Sequence, residues 1–168
     1  MTTLWPENLR IAAAGLLEAC IGRKLKLATA ESCTGGLVVA CLTEIAGSSA
    51  VVDRGFVTYS NEAKIAMLGI DAALLGRFGA VSAEVALAMA QGALARSDAD
   101  CAVAITGIAG PGGATAGKPV GLVHLATARR GGALAQERHV YSGDRAAVRM
   151  AAVETALAML RRSVEELR

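Results

Sequence analysis

Residues 101–106 read CAVAIT, an unbroken apolar run between Asp100 and a glycine-rich segment. A strand of this kind belongs where both of its faces are covered, as in sheets with helices above and below. The chain must therefore supply helices for two sides of a sheet, and it offers them in alternation with further strands. Residues 9–21 predict an amphipathic helix, with Pro6 near its start, where proline is tolerated. Residues 25–30 read as a short strand, 31–36 (ESCTGG) as a tight turn and 37–45 as a buried helix. A loop at 47–49 leads into a β-branched and aromatic strand over 51–59. Ser60-Asn61 is placed to cap a helix over 62–68, and 71–77 forms another short one. Ser82 caps a long helix to about Arg96, with Glu84 suiting the dipole of its first turn.

Beyond the 101–106 strand, Gly107, Gly110, Gly112, Gly113 and Gly117, with Pro111 and Pro119, make 107–119 a loop. Strands over 120–128 and 133–141 join through RRGG (129–132) as a hairpin, and Asp144 caps a last helix to near Arg168. The pattern predicts a three-layer α/β sandwich with a mixed, mostly parallel sheet and one antiparallel hairpin. A length of 168 residues suits a single domain spanning 1–168.

Composition narrows the function classes. Hydrophobic residues make up 54% and charged residues 19%, the reverse of a disordered chain. The longest uncharged stretch, between Asp100 and Lys118, holds Pro111 and several glycines and so is no spanning helix. The start shows no basic segment followed by an apolar one, so no leader peptide is expected. Much of the apolar content is alanine, as expected of helices packed closely on a sheet. A net charge of +2 speaks against nonspecific binding to nucleic acid or to a membrane surface. Cys20, Cys33, Cys41 and Cys101 form no CxxC pair, and the only histidines are His124 and His139, so no zinc site is expected. Reduced thiols in a cytoplasmic protein are the simplest reading.

Ligands of open α/β sheets bind beyond the carboxyl ends of strands. Three loops qualify: 31–36, 59–64 and 107–118. In the first, Ser32, Cys33 and Thr34 precede a helix start, whose backbone N–H groups attract an anion. Ser32 or Thr34 acting only as an N-cap explains the same residues. In the second, Lys64 falls in the first turn of its helix with Leu68 on the same face. The dipole and partial shielding both favour the neutral amine, which can take a proton from a serine hydroxyl. A solvated lysine beside Glu62 is the alternative. The third, TGIAGPGG, fits neither standard nucleotide fingerprint, yet its glycines let backbone approach a ligand closely. Arg145 either clamps a phosphate or pairs with Asp144. Cys33 reads as a packed thiol, with a nucleophile as its rival. His124 and His139 read as structural or surface residues, Trp5 as a packing anchor and Arg129-Arg130 as a solvated turn.

The segments TAESCTGG (29–36), GSSAVVDRGFVTYSNEAKIAMLGI (47–70), GAVSAEVALAMAQGA (79–93), AITGIAGPGG (104–113), KPVGLVHLA (118–126) and GDRAAVRMAA (143–152) together resemble the CinA C-terminal domain, the nicotinamide mononucleotide deamidase (PncC) family. They fall in order along nearly the whole chain. Larger members carry an extra domain resembling molybdopterin-binding proteins, so the resemblance implies the stand-alone form. It implies a metal-free, cofactor-free amidohydrolase converting nicotinamide mononucleotide and water to nicotinate mononucleotide and ammonia. Its catalytic serine, lysine and tyrosine fall on Ser32, Lys64 and Tyr59, with Ser48 a rival for a catalytic or phosphate-contact role. Thr34, Gly35 and Gly36, or Arg145, would hold the phosphate. The Ser32 loop or the loop of Gly107 and Gly110 would hold the oxyanion, and Phe56 or Tyr59 would wall the pyridinium ring. The expected partners are a mononucleotide substrate and a second copy of the chain, without nucleic acid or membrane. A nucleotide-binding module without turnover, serving competence or DNA repair, is the alternative.

Overall fold

The computed structural model describes residues 4–167. The readings that touch residues 1–3 at the start and Arg168 at the end of the last helix lie outside the described residues. Five strands form one sheet in the order β2-β1-β3-β4-β5: β1 Leu27–Glu31, β2 Val52–Val57, β3 Cys101–Gly107, β4 Leu122–Arg129 and β5 Leu134–Val140. β1 pairs in parallel with β2 and β3, whereas β4 is antiparallel to both β3 and β5. The sheet is therefore mixed, and β4 alone runs against the other strands. The expected hairpin is β4–β5; the second antiparallel pairing, β3–β4, spans the long glycine loop.

Helices cover both faces: α1 Glu7–Arg23, α2 Leu37–Thr43, α3 Asn61–Leu68, α4 Ala72–Phe78, α5 Ala83–Ala95 and α6 Arg145–Glu165. Side chains alternate across the strands. Leu27, Val103, Ile105, Val123 and Leu125 turn toward the layer of α1, α2 and α6, where they meet Leu9, Leu16, Val153 and Leu157. Each branched side chain removed from water there contributes about 1.5–3 kcal/mol. Ala28, Ala30, Ala102, Ala104, Ala126 and Ala128 turn to the other face and meet Val85, Met89 and Ala93 of α5. Strand alanines let α5 lie close on the sheet, which accounts for the alanine content. β3 is buried throughout Cys101–Thr106, as its apolar run requires, while the edge strands β2 and β5 are partly exposed.

Local chemistry sets several ends. Ser60, Asp71, Ser82 and Asp144 each accept a backbone N–H at the start of the helix they precede. β2 ends at Val57, two residues before the strand end read from sequence, which leaves Thr58 and Tyr59 in a loop. Helix α2 stops at Thr43 rather than at 45. Trp5 is buried in the α1/α6 layer. The Arg129-Arg130 turn is exposed at Arg130 but also anchored: Arg130 donates to the carbonyls of Leu94, Ser97 and Ala99 around the end of α5, and Arg129 pairs with Glu166 at 3.0 Å. His124 is buried in β4 against Gln136. Among the described residues all four cysteines are free thiols and no helix is long and apolar enough to cross a membrane.

Candidate active site

β1 lies between β2 and β3, and the chain departs from it first to one side and then to the other. The carboxyl end of β1 is thus the switch point at which such sheets open a crevice. Ser32 follows directly on β1, Thr58 and Tyr59 follow β2, and Thr106-Gly107 ends β3. A cavity of about 210 Å³ opens there, with Ser32, Cys33, Lys64, Thr106 and Gly107 in its walls and Tyr59 and Arg145 beside them.

Lys64 reaches this crevice from α3. Ser60 Oγ accepts the Ala63 N–H and fixes the helix start, and Leu68 anchors the same face one turn on. Lys64 is 1% exposed, the largest fully buried side chain among the described residues. Its Nζ donates to the Thr58 carbonyl at 2.9 Å and lies 3.0 Å from Ser32 Oγ. No carboxylate pairs with it among the described residues. Burial without a counter-charge pulls its pKa below the ordinary lysine value and favours the free amine. The solvated lysine beside Glu62 is thereby excluded. The pair has the geometry of a hydroxyl and the base that activates it.

The turn that carries Ser32 is held from two sides. Glu31, fully buried, accepts the N–H groups of Gly36, Val38 and Val39 at 2.9–3.1 Å and the Thr29 hydroxyl at 3.1 Å. The cap of α2 is therefore the Glu31 carboxylate, not Ser32 or Thr34. The same contacts correct the phosphate reading of Thr34, Gly35 and Gly36. The N–H groups at the start of α2 already hold an anion belonging to the chain, and Thr34 is fully buried. On the other side, Arg149 of α6 donates to the carbonyls of Cys33 and Thr34 at 3.1 and 3.0 Å. The hydroxyls of Thr34 and Thr58 are buried without a partner among the described residues. Unsatisfied groups of this kind call for a functional explanation, and both flank the Ser32–Lys64 pair.

Other expected site residues separate. Tyr59 is 62% exposed, and its hydroxyl takes a hydrogen bond from Arg145 Nη2 at 3.0 Å rather than contacting Lys64. Thr58, through its carbonyl, orients the lysine instead. Arg145 also donates to the Gly110 carbonyl at 2.9 Å, so it bridges two loops at the mouth of the crevice. It does not pair with Asp144, whose carboxylate caps α6. Gly110 is buried and serves to dock Arg145, and Gly107 remains in the cavity wall. Phe56 packs on the alanine face, which leaves Tyr59 as the ring at the crevice. Ser48 lies in the short helical turn Ser48–Ala50 that leads into β2, at the amino end of the strands, the length of the sheet away from Ser32. Burial pushes the Cys33 thiol up to about 11, which keeps it protonated and a poor nucleophile near neutral pH. Among the described residues no group of three or more His, Cys, Asp or Glu side chains is placed to hold a metal ion.

Sequence reasoning missed Glu31, Thr58, Thr106 and Arg149. The only signal for Glu31 was an acid ending a buried strand just ahead of a glycine-rich helix start. A main-chain carbonyl such as that of Thr58 leaves no signal in residue type.

A three-layer α/β sandwich with a buried serine–lysine pair at the carboxyl edge of its sheet defines the class of protein. The family model for the CinA C-terminal domain matches residues 10–164. A CinA-like protein of Mycolicibacterium vanbaalenii is 52% identical over 149 residues, covering 89% of this chain and 35% of the relative. A CinA-like protein of Geobacter sulfurreducens is 52% identical over 138 residues, 82% of this chain and 33% of the relative. The chain thus spans about a third of the length of these curated relatives. The crystal structure of the competence/damage inducible protein CihA from Agrobacterium tumefaciens superposes with a TM-score of 0.95 at 52% identity, covering 98% of this chain and 100% of that one. A CinA superfamily protein from Escherichia coli gives a TM-score of 0.88 at 34% identity, over 96% and 95% of the two chains. The chain belongs to the CinA C-terminal domain family.

Proposed function

We propose that the chain hydrolyses the carboxamide of nicotinamide mononucleotide to nicotinate mononucleotide and ammonia. One observation carries this reading: the amine of a buried lysine, its pKa lowered by that burial, stands 3.0 Å from the Ser32 hydroxyl in a crevice at the sheet's switch point. Ser32 Oγ attacks the carboxamide carbon while Lys64 Nζ takes its proton. The tetrahedral intermediate collapses as Lys64 returns a proton to the departing ammonia. A water molecule, deprotonated by Lys64, then cleaves the acyl-serine, and Ser32 regains its proton. A cavity of about 210 Å³ suits the ring and carboxamide, with the ribose phosphate lying outward along Arg145. That guanidinium is exposed and exchanges its neutral acceptors, Tyr59 Oη and the Gly110 carbonyl, for a charged one.

Incubating the purified chain with nicotinamide mononucleotide and assaying ammonia and nicotinate mononucleotide together tests the reading. Wild type forms both in equal amounts, and Ser32→Ala forms neither above background. Binding without turnover by wild type favours a nucleotide-binding module, and full activity in Ser32→Ala removes the serine from the chemistry.

A further inference from the structure

We infer that Arg149 is a positioning residue for the nucleophile, acting through the backbone of the Ser32 turn and not on the substrate. Three observations carry the inference, which rests on the reading of Ser32 as nucleophile. First, the guanidinium makes a two-point contact across the fold: Nε to the Cys33 carbonyl at 3.1 Å and Nη2 to the Thr34 carbonyl at 3.0 Å. A planar fork holds two acceptors in fixed directions, which a lysine ammonium does not. Second, the remaining groups of the turn are spoken for. The Ser32 N–H donates to the Ile105 carbonyl at 2.9 Å, and the Gly35 N–H closes back onto the Ser32 carbonyl at 3.0 Å. Glu31 takes the N–H groups of Gly36, Val38 and Val39. The Cys33 carbonyl is thus the part of the turn that Arg149 restrains by itself among the described residues, while the Thr34 carbonyl is shared between Arg149 and the Leu37 N–H at 3.2 Å. Because a trans peptide places N–H opposite C=O, pinning the Cys33 carbonyl toward α6 also aims the Thr34 N–H away from that helix. Third, Arg145 and Arg149 are one helical turn apart and share a face of α6. Arg145 lines the crevice mouth, whereas Arg149 is absent from the crevice wall and only partly exposed. One helix turn therefore serves the site twice, at its entrance and beneath its nucleophile. The charge of Arg149 is also felt at Cys33, the residue after the nucleophile.

The test compares wild type, Arg149→Met and Arg149→Lys by steady-state turnover of nicotinamide mononucleotide, by the rate of Ser32 sulfonylation with phenylmethylsulfonyl fluoride, and by thermal unfolding. We expect both variants to lose roughly tenfold to a hundredfold in kcat, the scale of a misplaced reacting group. KM should change less than threefold and sulfonylation should slow in parallel. Added guanidinium ion should restore part of the rate to Arg149→Met at concentrations that leave Tm unchanged. Wild-type kcat in Arg149→Met overturns the inference. So does full recovery in Arg149→Lys, which would mean that charge alone matters. Loss of rate that tracks loss of Tm, without guanidinium rescue, overturns it too and leaves a purely structural role. If wild type is sulfonylated at Ser32 but does not release ammonia, the substrate reading fails. The sulfonylation rates of the variants then decide the positioning role on their own.

Discussion

Lys64 shows how much one residue's chemistry depends on what surrounds it. On a helix surface beside Glu62 it would be an ordinary solvated cation; enclosed by the end of β2 and the Ser32 turn, it has a lowered pKa and the placement that the proposed base requires. Its fate was half legible in the sequence: Ser60 and Leu68 fix the helix face, but the covering elements come from distant segments. The partner of Tyr59 was not legible for the same reason, because only the fold reveals that Arg145, 86 positions away, donates to its hydroxyl. The burial of Lys64 has a cost that pH exposes. Its pKa is lowered in the folded chain, so between that value and the ordinary 10.5 the unfolded chain binds the proton and the folded chain does not. Folding stability therefore rises with pH across that interval and is flat below it. Relative to Lys64→Met, wild-type Tm should climb as pH approaches 10.5, measured by scanning calorimetry at several pH values. Turnover should rise with pH through the lowered pKa and then level, and be lost in the methionine variant at every pH. A wild-type–variant Tm gap that does not change with pH would show that Lys64 is charged in the fold.

At the scale of elements, the turn between β1 and α2 is governed by a residue whose type says little. Glu31 has the parity of Leu27 and Thr29 and points into the α2 side of the sheet, where three N–H groups of a short helix converge on it. From sequence, ESCTGG suggested an anion site open to a ligand; the strand's alternation decides instead that the chain's own carboxylate fills it. Strand and helix types were legible because alternation and caps are local. The occupancy of a helix start was not, since it depends on which way one side chain faces. Hydrogen bonds to a charged group are worth about 1.5–3 kcal/mol each, and leaving buried donors unpaired costs a similar amount. Glu31→Ala should therefore destabilise the chain by about 3 kcal/mol or more, read as a fall in urea midpoint. Glu31→Gln keeps an acceptor oxygen and should cost roughly half as much. Activity should fall further than stability alone explains, because the same contacts hold the residue after which Ser32 follows.

For the molecule as a whole, the two faces of the sheet do different work. One is filled with leucine, valine and isoleucine and supplies burial; the other is lined with alanine and sets distance. The alanine face was legible in composition but its purpose was not, since only the three-dimensional arrangement shows that α5 is also the platform for α3. Gly92 marks that contact. A Cβ built there would stand 2.3 Å from the Leu68 carbonyl and 3.0 Å from the Leu68 Cβ, so α5 and α3 touch backbone to side-chain root. The obstacle is main chain, which cannot swing aside as a side chain does, so relief requires α3 to move. α3 carries Lys64 one turn before Leu68, and a shift of even a fraction of an ångström there changes the 3.0 Å separation from Ser32 Oγ. Gly92→Ala should thus act twice: overpacking costs about 1–3 kcal/mol, offset by up to about 1 kcal/mol from the better helix propensity of alanine. Turnover should drop about tenfold or more with little change in KM, because the lysine is displaced and the crevice mouth at Arg145 is not. Gly76, on α4 with open space at its Cβ position, provides the control: Gly76→Ala should leave turnover unchanged and raise Tm slightly. Equal turnover in Gly92→Ala and Gly76→Ala would mean that α3 is held by its own cap and loop, and that the alanine layer plays no part in placing the base.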